Sequence, residues 1–449
     1  MDKKFWKKVL IVGLPVSIQN LINTTVNMVD TFMIGSLGED YVSAVGLASK
    51  VFFIMNLLVF GIASGCSVLL SQYYGKKDDH NLNTTFGFMT MLSLAGGLLF
   101  FILAMLIPNS LMRIFTNSDT LIEIGAPYLR IVSVSYIFTA FSMAVSGLCR
   151  SINKTRAPMI ATFVSVFVNV FFNYMFIFGN FGAPMMMANG AAIGTIIART
   201  VEFIIILVYL FIAKLDVKLN IKEMVQINKT IVVKNIKFAL PVIINELGWG
   251  LGTTMYSVIY GHMGDGVVAA TTIATALEDL VYALLFGVST ACAVLVGNQL
   301  GANKLDEAQR TAKKLLISGI LVSCLLALIL IALVNPYVML YKTTDEVKGM
   351  IMRVCIAYAL FMPFRTFNLM MIVGILRSGG DTFFCMVMEL SCLWGVGVSL
   401  GALGAFAFHL DVLFVFILFE TEQLVKNVIG FFRYRQKKWV RNIAILNIE

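Results

Sequence analysis

Charge is scarce in this chain of 449 residues: Asp, Glu, Lys and Arg supply 13% of it, against about 25% in an ordinary soluble domain. Hydrophobic residues supply 59%, and the mean hydropathy is +0.87. A soluble fold this apolar would not have the polar groups to cover its own surface, so soluble classes are excluded. Histidine is scarcer still, and His80, His262 and His409 are too few and too separated for a metal centre. The seven cysteines (Cys66, Cys149, Cys292, Cys324, Cys355, Cys385 and Cys392) sit singly in apolar stretches without a C-x-x-C pair. That spacing argues for small core residues, not for disulfides or metal ligands. No cleavable leader is evident, because "MDKKFWKKVL" runs into a long segment containing Pro15 and not into an A-x-A site. Short alternating segments of the kind a membrane β-barrel needs are missing too.

What remains is a succession of long apolar blocks. Twelve candidate spans fall near 9–34, 44–72, 85–107, 123–149, 158–180, 189–213, 236–262, 268–298, 312–334, 347–373, 383–407 and 411–434. The fold class is therefore an all-α polytopic membrane protein. The net charge of +9 reflects basic loops on one side of a bilayer and not a nucleic-acid partner. Lys3, Lys4, Lys7 and Lys8 precede the first span, and Lys76, Lys77, Arg150, Lys154, Arg156, Lys304, Arg310, Arg377 and Arg433 follow even-numbered ones. The opposite loops hold only Arg113, Lys342 and Lys348. This asymmetry predicts cytoplasmic termini in a plasma membrane of bacterial inner-membrane type.

The sequence also repeats itself. "LPVSI" at Leu14 matches "LPVII" at Leu240, and "FGIASGCSVLL" from Phe60 matches "FGVSTACAVLV" from Phe286, both at an offset of 226. "GLCRSINKTRAPM" from Gly147 matches "GILRSGGDTFFCM" from Gly374 at 227. Each half holds an even number of spans, so the two lie the same way across the bilayer, related by a pseudo-twofold axis along its normal. The expected units are an N-lobe over 1–213, a cytoplasmic linker over 214–235 and a C-lobe over 236–449. Two six-helix lobes around a central cavity suit alternating-access transport.

Asp30 is the anomaly in the first span. Asn20, Asn23, Thr24, Asn27, Asp30 and Thr31 recur at three- and four-residue spacing and so share one helix face. A carboxylate near the bilayer centre costs roughly 2.5–3.5 kcal/mol on insertion scales, and such acids more often mark an ion or proton path than a structural pair. The fifth span adds Ser165, Asn169 and Asn173, and the sixth adds Thr195. Carboxylate, amide and hydroxyl oxygens form a hard environment suited to Na⁺ or a proton-linked network. In the second half, Glu246, Glu278 and Arg365 form a candidate charge cluster, with Glu246 and Glu278 as partners for the arginine. Arg199 with Glu202, and Glu422 with Lys426, are spaced as ion pairs along their own helices. Glu389 has no assigned place.

Several motifs in order now carry a resemblance: "VDTFMIG", "SVLLSQYYG" with its echo "AVLVGNQLG", "GLCRSINKTRAP", "NVFFNYMFIFG", "NGAAIGTIIAR" and "GILRSGGDT". The chain resembles the multidrug and toxic-compound extrusion (MATE) family from the first span to the twelfth. The resemblance implies a non-enzymatic, cation-coupled pump in which inward Na⁺ or H⁺ drives export of amphipathic, often cationic, small molecules, with no other cofactor. It also implies that Asp30, Asn169, Asn173 and Thr195 form the coupling-cation site, with Na⁺ at Asp30 as one option. Many relatives carry Asp where this chain has Asn173, which leaves one negative charge here instead of two. A monomer in the lipid bilayer, without a nucleic-acid partner, is expected.

Two other readings fit parts of the pattern. A lipid-linked-oligosaccharide flippase would share the architecture but needs basic residues converging on its cavity, and Lys50, Arg130, Arg199, Arg353 and Arg365 are dispersed. An intramembrane prenyl transferase would need acids facing "KKDDHN", and none has that spacing.

Overall fold

The computed structural model describes residues 3–213, 216–341 and 343–446, so Lys342 and the first two residues of the 214–235 segment lie outside the described residues. Twelve long helical segments follow one another. They are α1 (Lys3–Gly35), α2 (Glu39–Lys76), α3 (Asp79–Leu106), α4 (Asp119–Val132 with Val134–Ser151), α5 (Arg156–Phe178) and α6 (Met187–Ile212). The second set is α7 (Lys229–Met263), α8 (Asp265–Gly301), α9 (Leu305–Met339), α10 (Asp345–Gly379), α11 (Thr382–Ala407) and α12 (Val412–Arg435). Among the described residues, nine of these are apolar and long enough to cross a membrane by composition alone, and α4 joins them as a pair bent by 48°. α7 and α12 have the length but carry functional-looking charges along it. α7 starts at Lys229, capped by Asn228, whose Oδ1 accepts from the Ile231 N–H at 2.9 Å, and not near residue 236. The cap and the two turns of helix it starts lie in a lysine-rich stretch whose charge hid them from a hydropathy reading.

The duplication is written into the turns. Left-handed backbone occurs at Gly38 and Gly264, Lys77 and Asn303, Asn153 and Gly380, and Gly182 and His409. Each pair is separated by the repeat offset, 226 for the first two and 227 for the last two. Gly38 and Gly264, at φ 123° and 122°, make the tight α1–α2 and α7–α8 turns that a side chain would strain.

The halves exchange partners where they meet: α1 lies along α8, and α7 lies along α2. Glycines permit this. A Cβ on Gly287 would collide with Ser17 of α1, and one on the equivalent Gly61 would come within 2.8 Å of the Ile243 Cα of α7. The cores show how the lobes separate. At the end bearing the basic loops, the N-lobe cluster around Leu69, Leu70 and Leu148 takes in Phe238 and Ala239 of α7. The C-lobe cluster around Leu300, Leu315 and Met370 likewise takes in Val9 and Val12 of α1. At the opposite end each cluster stays within its own lobe. The molecule is thus joined at its basic face and divided at the other.

Residues after α12 reinforce the join. The Arg441 guanidinium donates to the Gly379 and Gly380 carbonyls at 2.8 Å, and Asn442 Nδ2 donates to the Gly301 carbonyl at 3.0 Å. Ile443 N–H donates to Gln72 Oε1 of α2 at 2.7 Å, while the Ile443 side chain sits in the N-lobe core. Six of the seven cysteines are buried, Cys324 is exposed, and all are free thiols.

Candidate coupling-cation site

Asp30 is half-buried near the end of α1 farther from the basic face. Its Oδ1 accepts a 2.7 Å hydrogen bond from Asn173 Nδ2 of α5. The same amide nitrogen reaches Asn169 Oδ1, one turn earlier, at 3.3 Å. Asn169 Nδ2 lies 3.4 Å from Thr195 Oγ1 of α6, and Thr195 donates to the Ala191 carbonyl at 2.9 Å. The four residues predicted to act together therefore meet, in the order Asp30, Asn173, Asn169, Thr195. Ser165 is on the same face of α5 but donates to the Ala198 carbonyl at 3.0 Å, so it ties α5 to α6.

Two features mark the site as more than a helix clamp. Among the described residues, no lysine, arginine or histidine forms an ion pair with Asp30, so its charge is not already balanced by contact. Asn173 is 1% exposed, yet its Oδ1 has no hydrogen-bond partner. A buried acceptor without a donor costs about 1–3 kcal/mol unless something else supplies positive charge. Close packing fixes that oxygen in place: a Cβ on Gly194 of α6 would collide with it. The oxygens available to a guest are thus Asp30 Oδ2, Asn173 Oδ1 and Thr195 Oγ1. One carboxylate and neutral oxygens suit a monovalent cation or a proton. Among the described residues no group of three or more His, Cys, Asp or Glu converges, so nothing here provides a transition-metal centre.

The rest of the α1 stripe is not part of this network. Asn20 and Asn23 are half-buried and Asn27 is exposed, and their side chains make no hydrogen bond within the described residues. Instead Gln19, one residue off the stripe, donates to Thr162 Oγ1 at 2.9 Å, which donates to Glu202 Oε1 at 2.9 Å. Arg199 closes that chain with a 2.7 Å bond to Glu202 Oε2. The Arg199–Glu202 pair has the predicted spacing, but Gln19 and Thr162 gave no sequence signal because isolated polar residues recur all along α1 and α5.

The C-lobe charges divide into two networks, which corrects the single cluster expected for Glu246, Glu278 and Arg365. Arg365 holds Glu420 of α12, with Nε donating to Oε2 at 2.8 Å and Nη2 bonded to Oε1. Glu278 approaches the same guanidinium at 3.6 Å, and the Tyr358 ring lies 4.7 Å from its centre. Glu246 belongs elsewhere: it accepts from Arg377 Nη1 at 2.8 Å. Glu389, which the sequence left unplaced, lies 3.7 Å from Arg377 and accepts from Asn245 at 2.8 Å. The sequence places Arg377 in a loop because it closes α10, yet it is 3% exposed. Glu422 and Lys426 pair at 3.1 Å as their spacing predicted.

A family model described as MatE matches the chain twice, over residues 15–175 and 241–403. The chain belongs to the MatE family. The two matches coincide with the two halves of the repeat. Among relatives, the chain is 24% identical over 446 residues to a protein of Thermotoga maritima described as probable multidrug resistance protein NorM, covering 99% of this chain and 95% of that one. It is 23% identical over 401 residues to the multidrug resistance protein MdtK of Yersinia enterocolitica, covering 88% and 87%. Its fold matches a structure described as the outward-facing conformation of a multidrug resistance MATE family transporter, with a TM-score of 0.88, 19% identity, and 96% and 95% of the chains covered. MATE proteins are multidrug efflux transporters, and this chain is a multi-pass helical member of that family.

Proposed function

We propose that this transporter exports amphipathic, cationic small molecules by antiport, with Asp30 as the carboxylate whose occupancy by Na⁺ or H⁺ alternates during the cycle. The observation that carries the reading is a carboxylate with no ion-pair partner among the described residues, beside a buried amide oxygen, Asn173 Oδ1, that likewise has no partner among them. When empty, the site holds one net negative charge in a low-dielectric lobe. A cation arriving from outside satisfies both oxygens and favours one arrangement of α1, α5 and α6. An organic cation competes for the same charge. Coupling follows because the guest cation binds the two arrangements with different affinity; equal affinity would drive nothing.

The basic face lies in the cytoplasm on this reading, in a plasma membrane of bacterial inner-membrane type, and a single chain is the working unit. The shape supports an outward-open state, since the lobes interlock at the basic face and separate at the other. Having Asn at 173 supports one coupling charge per cycle.

Inside-out vesicles test the reading. Uptake of a fluorescent organic cation is measured with either a high-Na⁺ lumen or an acidified lumen, each gradient imposed alone. One of the two gradients drives uptake into wild-type vesicles. Asp30→Asn lowers that uptake by about tenfold or more, the size of a typical coupling free energy. Wild-type uptake by Asp30→Asn, or uptake indifferent to both gradients, contradicts the reading.

A further inference from the structure

A second polar site lies on the pseudo-twofold axis, away from Asp30. Phe60 of α2 and Phe286 of α8 are repeat equivalents, and their rings meet with centroids 6.0 Å apart. Beside this pair is an inter-lobe cavity of about 60 Å³, lined in matching pairs: Ser64 with Thr290, Val68 with Val294, and Arg150 with Arg377. Towards the basic face α2 and α8 cross in backbone contact, where a Cβ on Gly75 would collide with the Asn298 carbonyl and one on Gly301 with that of Gln72. In sequence both arginines follow spans as loop residues, and in the fold they line one chamber.

The pairing fails in one respect, and that respect is charge. Arg377 is neutralised by Glu246 at 2.8 Å and Glu389 at 3.7 Å. At the offsets of the repeat, the N-lobe has Asn20 opposite Glu246 and Thr162 opposite Glu389. Arg150 has therefore lost both acids. Among the described residues no carboxylate pairs with it and none of its guanidinium nitrogens donates a hydrogen bond. The surrounding hydroxyls do not compensate. Ser67 donates to the Ala63 carbonyl, Ser151 to that of Gly147, Ser378 to those of Gly374 and Ala293, and Thr290 to that of Phe286. Ser64 alone has a hydroxyl with no such bond. The chamber thus offers an unpaired guanidinium and one free hydroxyl, both half-buried at the seam between the lobes, where a charge-assisted bond can form.

We propose that this chamber is an oxyanion site in which Arg150 and Ser64 hold the carboxylate of a zwitterionic substrate taken from the basic face. About 60 Å³ is room for a few waters or one small oxyanionic group, with the remainder of a guest extending outside the chamber. One unpaired arginine likewise matches one negative charge. Parting α2 from α8 would open the chamber to the side from which an exported compound arrives. The proposal rests on the export reading for the identity of the guest, but not for the anion chemistry of the chamber.

The test compares the acid and the methyl ester of one rhodamine dye, which share a cationic ring system and differ in a single carboxylate. Binding to purified full-length protein in detergent is read by fluorescence polarisation. Wild type binds the acid about tenfold more tightly than the ester, as one desolvated charge-assisted contact supplies. In Arg150→Gln that ratio falls to about one, and in Ser64→Ala it falls part of the way, which keeps the test available if the arginine variant does not fold. Sodium acetate competes with the acid dye in wild type when compared with sodium chloride at equal ionic strength. Equal binding of acid and ester by wild type overturns the proposal, as does a preference that survives Arg150→Gln or a failure of acetate to compete. If wild type binds neither dye, the export reading fails and the chamber is judged by acetate alone. A melting temperature raised by acetate over chloride in wild type, and not in Arg150→Gln, then upholds it; no difference overturns it.

Discussion

At the scale of single residues, the contrast is between charges that are neutralised and charges that are not. Arg365 and Arg377 are each held by two carboxylates, whereas among the described residues Asp30 and Arg150 form no ion pair, and the Arg199 charge reaches Asp30 only through space. These differences make opposite predictions. Arg377→Ala leaves Glu246 and Glu389 unmatched at side-chain exposures of only 12% and 15%, and should cost ~3–5 kcal/mol, read as a loss of thermal stability in detergent. Restoring stability by adding Glu246→Gln to that variant would confirm the cause. Gly194→Ala should act without touching any charge. The new methyl displaces Asn173 Oδ1, so coupled uptake falls as it does for Asp30→Asn while the folded protein persists; unchanged coupling in Gly194→Ala would mean that the position of that oxygen is irrelevant. The Asp30 group was legible in the sequence because a carboxylate and amides at helical spacing stand out against an apolar background. The Arg377 group was not. Its acids come from α7 and α11, and a span-ending arginine looks the same in sequence whether it points to water or into the protein.

At the scale of elements, the glycines of α2 and α8 set how the lobes meet. Gly75 and Gly301 let two backbones cross in contact, and a side chain at either would hold the crossing apart. Gly301→Ala should therefore disfavour the state closed at the basic face. Ser71→Cys, buried beside Gly297 in the same seam, reports on it in a Cys324→Ser background that removes the exposed thiol. Maleimide labelling from the basic face should be several-fold faster in Gly301→Ala than in the parent; equal rates would show that the crossing does not control access. The element pattern itself was visible from apolar run length. The starts of α7 and the bend in α4 were not, because hydropathy averages over the lysines of one and passes through the Ser133 hinge of the other.

For the whole molecule, a duplicated frame has kept its geometry and lost its chemical symmetry. Turn conformations, helix exchange and the Phe60–Phe286 contact repeat at the offset of the sequence. The acids do not: Asp30 aligns with Tyr256, Glu246 with Asn20, and Glu389 with Thr162. Among the described residues, one lobe carries Asp30 without an ion pair, and the other carries Arg365 and Arg377, each beside two carboxylates. The segment 439–446 adds a tie from the C-lobe to Gln72 and the N-lobe core that no periodicity announced, since it follows the last span and depends on backbone bonds.

The most direct test of the central claim is counterflow in proteoliposomes. An outward gradient of organic cation is imposed without any ion gradient, and movement of ²²Na⁺ and of protons is followed in the opposite direction. Wild type should move one of the two ions in step with the dye, and Asp30→Asn should move neither while still folding. Ion movement of wild-type size in Asp30→Asn would contradict the account.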